Sequence, residues 1–342
     1  KNGDKALVKY EKKFNQNNVI IPSQKQISNS IKSLDKKVKH VVGDIRDASL
    51  LASTLNKFQP EFVFHLAAQA LVRPSYDDPA ATFSTNVIGS VNLLDAVRLC
   101  ESVRSLVYIT SDKCYENVEW IWGYRENDQL GGRDPYSASK AAAEVVFSSY
   151  ACSFFEQRPL LGAATTRAGN VIGGGDWAVD RIIPDCIRAI ETGDPIRLRN
   201  PGATRPWQHV LEPLSGYLQL GYSLWENQKF NGESYNFGPN AGENYSVLEL
   251  IKKFSSRFFD NADPRYKIKN QNKFHEASLL KLDCRKAKNE LNWTQTLSFD
   301  KTCNLTADWY KSFHFENCYE FSMSQINEFI KISKSKKQYQ TK

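Results

Sequence analysis

The chain has 342 residues, 41% of them hydrophobic and 24% charged, which suits one large domain or two modest lobes and excludes a wholly disordered or collagen-like polymer. Its net charge of +7 suggests a nucleic-acid partner until it is located: residues 1–40 hold ten Lys against three acids, and 331–342 hold five Lys against none. The remainder, 41–330, carries 30 basic and 35 acidic residues, a net −5, so the positive charge is solvated Lys at the ends and not a concentrated working surface.

In chain order, Ala6, Tyr10 and Phe14 at i, i+4, i+8 predict a short amphipathic helix, and 18–21 a strand. Runs 38–43, 62–66, 104–110 and 160–168 read as buried strands, with helical spacing over 47–57, 84–100 and 136–156. Strands alternating with helices imply a doubly wound, mostly parallel Rossmann-like α/β sheet covered on both faces. Beyond 170, Gly173–Gly175 and Pro184, Pro195, Pro201, Pro206 and Pro213 break the pattern into pieces of a smaller mixed α/β lobe. We therefore expect a dinucleotide-binding domain over 1–168, a mainly substrate-binding lobe over 169–330 with segments returning to the first, and a frayed basic tail over 331–342. A dinucleotide-binding unit opens with a strand and a Gly-rich turn. Here Gly3 is the sole glycine before Gly43, so the first strand and phosphate loop are expected to be missing from this sequence.

No run of about 18 apolar residues offers a membrane span, and no signal peptide is visible. Seven dispersed cysteines without a CxxC pair suit reduced thiols, so a cytoplasmic location is expected. The five His have no ligand spacing, so no metal is expected.

The strongest local signal is Tyr136-Ser137-Ala138-Ser139-Lys140 behind Asp134-Pro135. Four residues along a helix put Tyr136 and Lys140 on one face, where an ammonium favours the phenolate and fits the tyrosine for proton transfer with a hydroxyl. A surface Tyr and Lys sharing a helix face is the plain alternative. The strand before it ends in Thr110-Ser111-Asp112-Lys113-Cys114-Tyr115-Glu116, and ligands of parallel sheets bind beyond such carboxyl ends. Ser111 could hydrogen-bond the same hydroxyl as Tyr136, with Asp112 and Lys113 as acid and base; a helix cap or polar turn is the alternative. Gly43-Asp44-Ile45-Arg46-Asp47 and Leu66-Ala67-Ala68-Gln69 follow two other strands. There Asp44 could accept from an adenine amino group and the small residues let backbone approach a dinucleotide, although Asp47 could simply cap a helix. Trp177, Trp207 and His65 read more naturally as core, and His209 as a structural hydrogen-bonder.

Taken together, FHLAAQALVRPSYDDP (64–79), TSDKCYENVEWIWGYRENDQLGGRDPYSASKAAAE (110–144), RAGNVIGGGDWAVDRIIPDCIRA (167–189) and RPWQHVLEPLSGYL (205–218) resemble the extended short-chain dehydrogenase/reductase family, in its nucleotide-sugar dehydratase branch. ESYNFGP (233–239) and HEASLLKLDCRKA (275–287) extend the likeness to roughly 24–310. YxxxK is common to a very large superfamily; TSDKCYEN followed by DPYSASK and RPWQHVLEP is much narrower. The resemblance implies tightly held NAD, contacted by Asp44, Ile45, Leu66, Ala67, Ala68, Gln69, Asn86, Thr110, Tyr136 and Lys140. It implies that Tyr136, helped by Lys140 and Ser111, takes the C4 hydroxyl proton of a sugar, that Asp112 protonates the departing C6 hydroxyl, and that Lys113 is the C5 base. Related dTDP-glucose enzymes have Glu where this chain has Lys113, a departure that points to CDP-glucose as substrate, in deoxysugar synthesis for surface polysaccharide. Asn170, Arg181, Arg205 and Asn236 are the implied substrate contacts, Arg for its bidentate fit to phosphate. Arg197 and Arg199 are weaker candidates that surface salt bridges could equally explain. A homodimer or homotetramer through helices 84–100 and 136–156 is implied too. A nucleotide-sugar 4-epimerase or an inactive, truncated relative are the alternatives.

Overall fold

The computed structural model describes residues 38–259, 264–268, 279–313 and 317–340. The helix and strand read within 1–21 lie outside the described residues.

Helix α1 (Ala48–Phe58) starts where the Asp47 carboxylate accepts from Leu50 N at 2.9 Å, the capping alternative for that residue. Strand β1 (Phe62–His65) follows. Pro79–Phe83 and a π turn at Ser84–Ile88 then lead into α2 (Gly89–Leu99). Strand β2 (Ser105–Ile109), helix α3 (Pro135–Tyr150) and strand β3 (Gly162–Ala168) complete the alternating half. In the irregular half come α4 (Ile182–Thr192), α5 (Leu211–Glu226) and strand β4 (Ser234–Phe237). The main sheet has the order β1-β2-β3-β4, all parallel. Its register pairs His65 with Tyr108 and Tyr108 with Thr165, so the carboxyl ends of β1, β2 and β3 share one edge.

Both faces of this sheet are dry. On one, Leu94, Val97, Phe147 and Phe155 of the helical layer pack on Leu106 and Ala163. On the other, Tyr217, Leu220 and Leu224 of α5 pack on Val107, Ala164, Tyr235 and Phe237. Helix α5 lies so close that a Cβ at Gly216 would meet the Phe237 ring at 2.4 Å. A second core (Ile183, Ile187, Leu198, Trp207, Leu250, Phe254, Phe299 and Tyr310) builds the smaller lobe, and β4 returns from it to the main sheet. Trp207 is buried there with Nε1 donating to Tyr245 O at 3.0 Å, and Trp177 packs on Tyr310 and Phe313. Both tryptophans are core residues.

Two expectations change. Residues 38–43 form no strand: Val38, Val41 and Val42 are exposed, and no strand pairs with them among the described residues, so burial does not hold them in a ladder. Residues 331–340 are not frayed but continue helix Cys318–Gln340. Phe329 and Ile332 seat that helix against Leu297, Leu305 and Leu211, and Gln325 Nε2 donates to Leu305 O at 2.8 Å. No described helix is long and apolar enough to cross a membrane, and all seven cysteines are unpaired.

Leu106, wholly buried at the centre of the sheet, tests this packing. Leu106→Ala should lower the urea unfolding free energy by about 2–5 kcal/mol, and a loss below about 1 kcal/mol would contradict the close-packed layer.

Candidate active site

At the end of β2 the chain turns into a 3₁₀ segment, Asp112–Cys114, capped by Ser111, whose Oγ accepts from Lys113 N at 3.3 Å. The same hydroxyl donates to Asp112 Oδ1 at 3.0 Å and lies beside the Tyr136 phenol. Tyr136 is placed by two local devices. Asp134 caps α3, accepting from Ser137 N at 2.9 Å with Pro135 in the first turn, and Tyr136 N donates to Ser75 Oγ at 3.1 Å. Lys113 Nζ stands 3.6 Å from Asp112 Oδ1. Asp112 Oδ2 is buried with no hydrogen-bond partner among the described residues. Ser111, Asp112, Lys113 and Tyr136 are thus gathered at one strand end, with Lys140 one helical turn further along α3. Of the two plain alternatives, the surface helix pair is excluded by burial, Tyr136 being 7% and Lys140 6% exposed. The cap is real, and the capping serine also touches the phenol.

Burial dominates the electrostatics. It pushes the Tyr136 phenol up to about 12; the Ser111 hydrogen bond and the Arg181 cation pull the other way, and Asp112 and Asp134 add to the rise. The direction is thus upward, set first by burial and opposite to the lowering expected from Lys140. Lys140 itself is pulled down to about 8 by burial, with Glu144 opposing. Lys140 Nζ makes no hydrogen bond or ion pair with a described residue, which leaves its donors for a ligand. His65 is held neutral, at about 4, first by burial and then by Lys140, and lies against Tyr108 as a core residue.

Several predicted contacts are committed elsewhere. Asp44 chelates Arg46, taking its backbone N at 2.9 Å and Nε at 3.0 Å. Gln69 Nε2 donates to Leu71 O and Thr82 Oγ1, and its backbone N donates to Asn86 Oδ1 at 2.8 Å. Asn86, in the π turn, completes this tie by donating to Gln69 O at 2.9 Å and to Ser139 Oγ at 2.8 Å, so the loop after β1 is locked to α3. Thr110 Oγ1 donates to Glu144 and to Thr166 O. Asn236 is fully buried; its side chain accepts from Tyr115 and donates to Tyr124 O and Asp283 O. In each case the polar group read as a ligand contact also has a protein partner.

The remaining candidates differ in exposure and partners. Leu66 and Ala67 are exposed just beyond β1, with Ala68 beside them. Ile45 packs across Gly89, where a Cβ would meet it at 2.7 Å. Asn170 Oδ1 is buried without a partner. Arg181 pairs with Asp176 at 3.0 Å and reaches Tyr136 electrostatically; Arg205 is buried and donates to Thr204 O at 2.8 Å. Arg199 lies 4.0 Å from Asp180, the salt-bridge reading of that residue. His209 is neutral, at about 4 through burial, and its Nδ1 accepts from Leu211 N at 3.3 Å, a structural role. Sequence reasoning missed Ser75, Glu144 and Arg167. Glu144 alone carried a signal, standing four residues after Lys140.

The open end of β1, the unclaimed Lys140 ammonium and the Tyr136 phenol suit the nicotinamide and ribose side of a dinucleotide. No described residues form a Gly-rich turn after a first strand. A parallel Rossmann-type sheet with a buried Tyr-x-x-x-Lys helix at its carboxyl edge defines a short-chain dehydrogenase/reductase of the extended kind. Consistent with this, the family model described as GDP-mannose 4,6 dehydratase matches residues 5–306, and the chain belongs to that family. A CDP-glucose 4,6-dehydratase of Salmonella typhimurium is 47% identical over 276 residues, 79% of this chain and 76% of its own. The dTDP-glucose 4,6-dehydratase of Streptomyces venezuelae, solved with NAD bound, matches with a TM-score of 0.70 at 26% identity over 81% of each chain. The UDP-glucose 4-epimerase of Thermotoga maritima shares the fold, with a TM-score of 0.71 at 22% identity over 83% of this chain and 88% of its own.

Burial of Lys140 has a thermodynamic signature. Its ammonium ionises near 10.5 when solvated and at about 8 in the fold, so the folded state binds fewer protons between those values and stability rises across that window. Below pH 8 the penalty is of order 3 kcal/mol. Lys140→Met should therefore raise the unfolding free energy at pH 7, with a gain that shrinks from pH 8 to 10.5. A variant no more stable than wild type at pH 7 would contradict a buried ammonium.

Proposed function

We propose that the protein is an NAD-dependent nucleotide-sugar 4,6-dehydratase that converts CDP-glucose to CDP-4-keto-6-deoxyglucose and water. The observation that carries this reading is the adjacency of Tyr136, Ser111, Asp112 and Lys113 at one strand end. A simple alcohol oxidation needs only a phenol and a lysine; a carboxylate and an amine beside them suit the removal of water. The 47% identity to the Salmonella enzyme supports CDP-glucose as the substrate.

NAD, when bound, would supply the hydride acceptor for sugar C4 and the hydride donor for C6. Leu66, Ala67, Ala68, Tyr136 and Lys140 would hold its nicotinamide side. Tyr136 takes the C4 hydroxyl proton as C4 becomes a ketone, with Ser111 hydrogen-bonding the same oxygen. For this the phenol must ionise well below its ligand-free value of about 12, and positive charge beside it in the loaded site supplies that pull. The C4 ketone acidifies the C5 proton. Lys113 removes it while Asp112 delivers a proton to the C6 hydroxyl, which leaves as water; the C5=C6 bond so formed is reduced at C6 and reprotonated at C5. Arg181 and Arg205 are the diphosphate contacts, and Asn170, with its unsatisfied Oδ1, suits a hydroxyl donor of the substrate. Apolar residues left exposed on the paired helical segments, Ile88, Leu99, Val145 and Phe154, support a homodimer through them.

Incubation with NAD and CDP-glucose should yield a product with the alkaline absorbance of a 4-keto sugar, and dTDP- or UDP-glucose much less. Turnover of another nucleotide sugar in preference would overturn the substrate assignment. Asp112→Asn should slow water loss by about 10²–10⁴-fold while the C4 oxidation, followed as NADH formed in one turnover, continues. Equal loss of both steps would remove the acid role from Asp112.

A further inference from the structure

Beneath the catalytic residues lies an ion pair that the proposed reaction does not use. Glu144 and Arg167 are each 3% exposed. Glu144 Oε1 accepts from Arg167 Nε at 2.9 Å and from Thr110 Oγ1; Oε2 accepts from Arg167 Nη2 at 2.9 Å and Thr165 Oγ1 at 2.9 Å. Arg167 Nη1 donates to Tyr115 OH at 2.9 Å and Glu126 O at 2.8 Å, and Nη2 reaches Ser234 Oγ at 3.2 Å. Its guanidinium carbon also lies 4.9 Å from the Tyr115 ring centre. The pair thus joins α3, the ends of β2, β3 and β4, and the segment directly after Ser111–Cys114.

We propose that Glu144 and Arg167 are positioning residues for Lys140: Glu144 holds the buried lysine in its ammonium form, Arg167 tempers that charge, and Tyr115 fixes the pair to the Ser111–Lys113 turn. Three observations carry this. Glu144 follows Lys140 by one helical turn, which places the two on one face of α3. A stabilising role by itself would not require ions, because a buried pair is often no better than apolar side chains of equal volume. Finally, the other groups facing Lys140 supply no charge. His65 of β1 is neutral, Cys114 of the 3₁₀ turn is a buried thiol pushed well above its usual value, and Tyr136 of the same helix is a neutral phenol. Glu144 is therefore the charged side chain that acts on Lys140, and Arg167 acts on Lys140 through its ion pair with Glu144 in this proposal. The inference rests on the proposed reaction only in calling Lys140 catalytic; the charge coupling is independent of substrate.

The test is a direct titration of Lys140 in the full chain carrying isotope-labelled lysine, its NMR signal identified by its loss in Lys140→Arg. Glu144→Gln should lower the titration midpoint by about one unit or more, and Arg167→Met should raise it, because each leaves the opposite charge alone. Tyr115→Phe should leave the midpoint in place while slowing turnover. Because single variants strand a buried charge, Glu144→Gln with Arg167→Met is measured too, with circular dichroism confirming the fold. Removing both charges should lower the midpoint by less than Glu144→Gln does. Midpoints that stay put, or shift the same way in both single variants, would overturn the proposal, as would an unmoved midpoint in the double variant if only that one folds. In an active preparation, the alkaline limb of the turnover profile should move with the midpoint. If the midpoints shift as stated but no CDP-glucose is turned over, the substrate reading fails and the positioning role stands.

Discussion

The site depends on one juxtaposition, the Ser111 hydroxyl beside the phenol of Tyr136. It brings the end of β2 to the first turn of α3, and the other proposed catalytic positions follow from it. Asp112 and Lys113 are the residues after Ser111, and Lys140 is one turn beyond Tyr136. The contact holds because each side is fixed independently. Ser111 caps the 3₁₀ turn, while Asp134 and Ser75 pin the start of α3. Two rigid elements meeting at strand ends that share one register leave little freedom in the relative placement of the phenol and the carboxylate.

The same burial that orders these groups works against the charged forms of Tyr136 and Lys140. Tyr136 resists ionisation, Lys140 holds its proton weakly and Asp112 keeps an unsatisfied oxygen. Each is an energetic cost of burial, and in the proposed reaction positive charge near the phenol, hydroxyls for the ammonium and a donor for the carboxylate would relieve it. The Glu144–Arg167 pair belongs to the same logic, since a charged lysine at this depth needs a nearby carboxylate.

Much of this was legible in the sequence. The strands at 62–66, 104–110 and 160–168 and the helices between them follow from β-branched runs alternating with helical spacing, and the short tyrosine–lysine interval on a helix survives folding unchanged. What stayed hidden was the destination of polar side chains at strand ends. Asp44, Gln69, Asn86, Thr110 and Asn236 carry the right chemistry for a ligand, yet each finds a protein partner, most of them far along the chain, and local pattern cannot reveal that. Arg167 reads as a strand residue until Glu144 is placed opposite it. Residues 38–43 have strand composition but no described neighbour, since strand formation is a property of pairs and not of one segment. The 331–340 segment is rich in Lys, and its helix was legible only through the apolar contacts of Phe329 and Ile332.

The central claim is that one site oxidises C4, expels water across C5 and C6, and reduces C6 without releasing its intermediates. Following the label from CDP-glucose carrying deuterium at C4 tests this most directly. The account predicts product with that deuterium at C6 and one solvent-derived hydrogen at C5. Deuterium retained at C4, or lost to solvent, would contradict it.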